Sequence, residues 1–136
     1  MSRPRFVAAF LTLALWATPA LAGSIAKPLA FARGASEATV SGAAARGESV
    51  RYELGARAGQ RMSVVVTAAE QNAVFQIYAP GFKVGPDGVT GKTLAGAGEG
   101  EDAQKWAGRL PASGTYAIVV GPTRGSATYK LTVGIR

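Results

Sequence analysis

ATYKLTVGI, residues 127–135, alternates along most of its length: Tyr129, Leu131, Val133 and Ile135 are apolar or aromatic, and Thr128, Lys130 and Thr132 between them are polar. Successive side chains of a β-strand point to opposite faces. A period of two therefore predicts a strand with one face in a core and the other in water. Each fully buried member of the inward face contributes roughly 1.5–3 kcal/mol.

The same reading extends upstream. Residues 115–120 place Tyr116, Ile118 and Val120 on one face, and 121–126 turn the chain into 127–135. Residues 105–110 form a strand around Trp106, joined to 115–120 by the turn Pro111-Ala112-Ser113-Gly114. Residues 61–67 carry Met62, Val64 and Val66 on one face, with the β-branched content of a central strand. Residues 49–54 alternate about Val50, Tyr52 and Leu54, and Ala58-Gly59-Gln60 is the turn between these two. Gln71-Asn72 turns the chain into 73–78, where Phe75 and Ile77 face inward. Residues 38–41 are a short strand. The stretch 79–104 is irregular and rich in Gly and Pro, with a short edge strand expected at 92–95. Seven or eight strands with Gly, Pro, Asn and Asp between them, and no helix after the N-terminal segment, define an all-β class, a sandwich or barrel.

Residues 1–22 have the three parts of a secretory signal. Arg3 and Arg5 are the positive region, 6–16 an uncharged apolar run, and Ala20-Leu21-Ala22 the small residues that signal peptidase requires. The run is short for a bilayer of about 30 Å, so cleavage is expected, leaving no membrane anchor. Residues 23–36 read as an extended N-terminal segment and 37–136 as a single β-sandwich domain, periplasmic or secreted.

Removing Arg3 and Arg5 lowers the basic count from 15 to 13 against 8 acidic residues, so the net charge falls from +7 to +5. The basic residues are scattered along the chain, whereas a nucleic-acid surface needs them clustered, so no nucleic-acid partner is expected. The charge favours solubility or attraction to anionic envelope polymers. There is no Cys, hence neither a lipid-modified Cys nor a disulfide, and the core must hold the fold alone.

With no His and no Cys, a Ser-His pair or thiol nucleophile cannot be built. No spacing points to a Ser-Lys site. Glu99, Glu101 and Asp102 lie in a Gly-rich loop, where a solvated acidic segment is the favoured reading. A calcium site using Asp87 would lack the Asp-x-Asp-x-Asp-Gly pattern. No catalytic residue, metal or cofactor is expected. Trp106 and Tyr78 are the aromatics from which a sugar platform would be made, although aromatics in a small sandwich are more often core.

The succession YELGARAGQRMSVVV (52–66), FQIYAPG (75–81), WAGRLPASGTYAIVVG (106–121) and ATYKLTV (127–133) resembles the bacterial pre-peptidase C-terminal type of β-sandwich. More narrowly, it resembles the small periplasmic proteins of the g-type lysozyme inhibitor group, from about residue 38 to the end. The resemblance implies a small antiparallel β-sandwich, jelly-roll-like, and by itself implies fold more than function. Ser113 and Tyr116 are similar to the Ser-Gly-x-Tyr stretch of lysozyme inhibitors, and they fit a turn followed by a core strand equally well. Arg109 and Arg124 flank that hairpin. The expected function is therefore binding: a loop entering a lysozyme's sugar cleft, with Arg, Ser or Tyr hydrogen-bonding the catalytic carboxylate. The alternative is a non-catalytic envelope module that binds glycan or an exported protein. The turns 111–114 and 121–126 bracket one strand, so they lie at opposite ends of it, and only one of them is at the binding end.

Overall fold

Alternation in sequence becomes alternation in burial. The structure, a computed structural model, describes residues 24–136; the expected signal peptide, 1–22, lies outside them. Among the described residues there are ten strands: β1 (Ser24–Pro28), β2 (Glu37–Ala44), β3 (Ser49–Ala56), β4 (Arg61–Ala68), β5 (Ala73–Tyr78), β6 (Lys83–Gly85), β7 (Gly88–Thr90), β8 (Lys105–Arg109), β9 (Gly114–Pro122) and β10 (Ala127–Ile135). One sheet has the order β1-β3-β9-β5 and the other β2-β10-β4-β8, while β6 and β7 form a small hairpin. From β2 to β5, and again from β8 to β10, each strand lies in the opposite sheet from the one before it. The turns therefore gather at the two ends of the sandwich.

The inward faces are those the alternation predicts. Val50, Tyr52 and Leu54 of β3, Met62, Val64 and Val66 of β4, and Phe75 and Ile77 of β5 are buried. So are Tyr116, Ile118 and Val120 of β9 and Tyr129, Leu131 and Val133 of β10; Ile135 is partly buried against them.

Three expectations need correction. The strand count among the described residues is ten rather than seven or eight: the 83–90 hairpin adds two strands too short and too exposed to carry an apolar alternation, and β1 adds a third. Part of the expected lead-in, 23–36, belongs to the sandwich. Strand β1 pairs in parallel with β3, and Leu29 after it is buried, so the antiparallel arrangement has one parallel edge. An edge strand of this kind is recruited through its backbone, which leaves little side-chain pattern to read. Residues 92–95 are not a strand. The 79–104 segment instead runs along β5, with Ala79 N–H donating to Lys92 O, Leu94 N–H to Ile77 O, Ile77 N–H to Ala97 O and Phe75 N–H to Ala103 O. Leu94, Ala97 and Ala103 are buried there. The Gly-rich segment thus covers a sheet edge that would otherwise expose unpaired backbone groups.

Two tyrosines tie the sheets together. The hydroxyls of Tyr52 (β3) and Tyr129 (β10) are 2.7 Å apart, with the rings edge-on at 89°. Gly42 of β2 makes room for them, since a Cβ there would lie 2.5 Å from the Tyr129 hydroxyl. Burial, then the hydrogen bond with Tyr52, holds the Tyr129 phenol well above its ordinary value of 10.0. The folded state thus favours the neutral phenol, while the unfolded chain ionises near 10. The resulting stabilisation is complete below that pH and is lost as the pH rises through it toward the folded value. Denaturant unfolding at about pH 8 and about pH 11 is expected to show a stability loss in the wild type that shrinks in Tyr129→Phe. Equal losses in the two proteins would contradict this assignment.

Candidate functional site

The four candidate residues do not converge. Arg109, Ser113 and Tyr116 belong to one end of the sandwich and Arg124 to the other, separated by the length of β9.

At the first end the polar groups are used internally. Tyr116 has 0% exposure, and its hydroxyl donates to Ala112 O at 2.6 Å while accepting from Ala112 N–H at 3.2 Å. It pins the 111–114 turn from beneath and offers no surface to a partner. The Ser113 hydroxyl accepts from Ala58 N–H at 2.8 Å, linking that turn to the neighbouring one. Gly114 has φ +144°, and a Cβ there would lie 2.8 Å from Pro80. The SGTY segment is thus explained by packing and turn geometry. Arg109 is exposed and stands opposite Arg61 across β4 and β8.

The second end is built differently. Arg124 sits on the turn between β9 and β10, its side chain 70% exposed, 3.4 Å from an equally open Glu70 carboxylate. Beneath it lies Asn72. Its amide nitrogen donates to Arg124 O (2.7 Å) and Ser126 O (3.0 Å). Its amide oxygen accepts from the Thr123 hydroxyl (2.6 Å) and Arg124 N–H (2.9 Å). The Asn72 carbonyl also accepts from Thr123 N–H at 3.1 Å. One side chain thus fills its four hydrogen-bonding positions on a single turn and fixes its shape. Asn72 follows Glu70 and Gln71, both at positive φ (55° and 56°), and Asp102 nearby has φ 49°. These are the non-glycine positive-φ residues among those described, and such strain gathers at binding and switch regions. A hollow of about 420 Å³, lined in part by Gln71, Asp102, Gln104 and Lys105, opens beside them. Gln104 donates from its amide to Gln71 O at 2.8 Å.

The sequence marks Asn72 only as a turn residue. Its role was out of reach there, because its partners lie more than fifty positions away.

The aromatic pair does not make a platform. Tyr78 is buried and its hydroxyl donates to Gln76, with burial and then Glu99 raising the phenol's pKa. Trp106 packs on the core and its indole N–H donates to Ala95 O at 2.8 Å. Among the described residues no group of three or more His, Cys, Asp and Glu side chains is placed to hold a metal ion.

The described residues form a small two-sheet β-sandwich that presents a braced turn with an open arginine. Among solved structures it is similar to Aeromonas hydrophila PliG, a periplasmic lysozyme inhibitor of g-type lysozyme. The two are 31% identical over 84% of this chain and 99% of that one, with a TM-score of 0.66. The chain belongs to the PliG family of periplasmic lysozyme inhibitors of g-type lysozyme. Salmonella Typhimurium PliG (20% identity, 83% of this chain and 99% of that one, TM-score 0.61) shares the fold. So does a mutant of the Escherichia coli inhibitor PliG-Ec (20% identity, 83% and 99%, TM-score 0.57). No family model and no curated protein matches the chain.

Proposed function

We propose that this protein is a periplasmic inhibitor of g-type lysozyme that acts by binding, with the 123–126 turn as the part that enters the enzyme's cleft. The observation that carries the choice of turn is the Asn72 clamp, which holds Arg124 exposed on a loop already fixed in shape. A pre-ordered loop loses little conformational freedom on binding. The Arg124 guanidinium is suited to a charge-assisted, two-pronged hydrogen bond with the enzyme's catalytic carboxylate. Its pairing with Glu70 is largely exposed and is given up at little cost. Family membership supports the lysozyme as partner, and the lack of a thiol or imidazole supports inhibition without chemistry. In this reading residues 1–22 direct export and are removed.

The test is a titration of the mature protein, purified from the periplasm, into g-, c- and i-type lysozymes acting on cell walls. The g-type enzyme is expected to lose activity at up to micromolar inhibitor with both proteins unchanged in mass, and the inhibitor to start at or near Gly23. If every lysozyme keeps its full rate while soluble peptidoglycan fragments bind, the protein is an envelope module instead.

A further inference from the structure

Arginines that are far apart in the chain meet on one face. Arg61 begins β4. Its N–H donates to Arg136 O and its carbonyl accepts from Arg136 N–H, both at 2.9 Å, so these residues stand directly opposite each other. On the other side of β4, Arg61 is in register with Arg109 of β8. Directly opposed residues in antiparallel strands share a face. Since Met62 and Ile135, the next pair in, face the core, the three arginines face outward. With strands about 4.8 Å apart, the row is about 10 Å wide.

Like charges placed directly opposite one another destabilise a sheet. Among the described residues, none of the three is ion-paired. Next to the row is a hollow of about 240 Å³, lined in part by Ser36, Glu37, Arg61, Ser63, Gly134 and Arg136. Lys105 and Lys130 carry the positive charge further along the same outer face, and Glu37 is the carboxylate among its described strand residues. The outer face of the other sheet, by contrast, pairs Arg51 with Glu53 at 3.0 Å.

We propose that this outer face binds the phosphate headgroups of anionic membrane lipids, with the Arg61–Arg109–Arg136 row as its anchor. The face is broad and open. Between its cations it carries small or short residues, Ser63, Ala107, Thr132 and Gly134, that let a planar surface approach. Among the described residues it has no aromatic side chain on which a sugar would stack and no large exposed apolar side chain to insert into a bilayer, so attachment is electrostatic and reversible. Strand β10 separates the row from the Arg124 turn by about 30 Å. A protein held to a membrane by this row would keep that turn free, although the proposal does not rest on the lysozyme reading.

The experiment is co-sedimentation of the mature protein with vesicles of phosphatidylcholine alone or with about one third phosphatidylglycerol, at low and high salt. Binding is expected on the anionic vesicles only, and is expected to weaken steeply with salt. Arg61→Ser with Arg136→Ser should lower the partition about 30-fold. Arg46→Ser with Lys83→Ser removes the same charge elsewhere and should change it less than about threefold. The row variant should melt no lower than the wild type, because repulsion has been relieved, and circular dichroism checks that it is folded. If it is not, the single variant Arg109→Ser replaces it. Soluble glycerol 3-phosphate should compete at high concentration. Equal binding to neutral vesicles, or equal losses in the two double variants, overturns the proposal. So does tighter binding of soluble polygalacturonate than of anionic vesicles through the same arginines, which would assign the face to an envelope polymer.

Discussion

Replacing Leu131 with Asp is expected to leave the domain unfolded at room temperature. Leu131 sits in the middle of β10, between β2 and β4, and has 0% exposure. Its register partners are Val66 on one side and Val40 on the other. Loss of the side chain's packing alone costs about 2–5 kcal/mol. The carboxylate must also either stay charged without a partner in an apolar layer or take up a proton, and each route adds several kcal/mol. Domains of this size have about 5–15 kcal/mol in total, and here no disulfide supplements the core. Thermal unfolding followed by circular dichroism is the measurement. Lys130→Asp is the control: it is the adjacent, exposed position on the same strand and should shift stability by no more than about 0.5 kcal/mol. A near-native melting temperature for Leu131→Asp would mean that the inward face of β10 is misassigned, and with it the sandwich.

Arg124→Ala is expected to weaken binding to a g-type lysozyme by about 2–5 kcal/mol, that is, by about 30-fold to several thousand-fold in Kd. The cost arises because the arginine's partner carboxylate would be left buried and unpaired in the complex. Arg109→Ala, at the other end of β9, should be near neutral. Asn72→Ala gives a finer result. It leaves the Arg124 side chain in place but removes four hydrogen bonds that shape its turn. It should therefore weaken binding without removing a contact. Glu70→Ala, which breaks only an exposed pair, should have little effect. Calorimetric titration of the four variants separates these cases. A large loss in Arg109→Ala with none in Arg124→Ala would move the binding end to the 111–114 turn.

The candidate site was only partly legible in the sequence. Arg124 stood out because a charged residue between Thr123 and Gly125 in a turn is exposed by its local setting. Tyr116 belongs both to an SGTY segment and to the alternation of 115–120; its ring is core, as the alternation predicts, and its hydroxyl closes a turn. The motif was a packing signature. The sequence marks Asn72 only as a turn residue, because an amide's value depends on what it reaches, and its partners lie on a turn distant in sequence.

What the sequence by itself determined is the set of long strands and the face of each that is buried. Period-two alternation is a local property, and burying Tyr129, Leu131 and Val133 while solvating Lys130 is favourable whichever strands lie alongside. Only the tertiary structure decided which strands those are. It recruited β1 beside β3 through backbone hydrogen bonds and laid the Gly-rich 79–104 segment along β5. It also braced the Arg124 turn with Asn72 and drew Arg61, Arg109 and Arg136, scattered along the chain, into one row. Each of these depends on pairing between residues far apart in sequence. Such pairing follows from packing two whole sheets face to face and leaves no trace in the residues on either side.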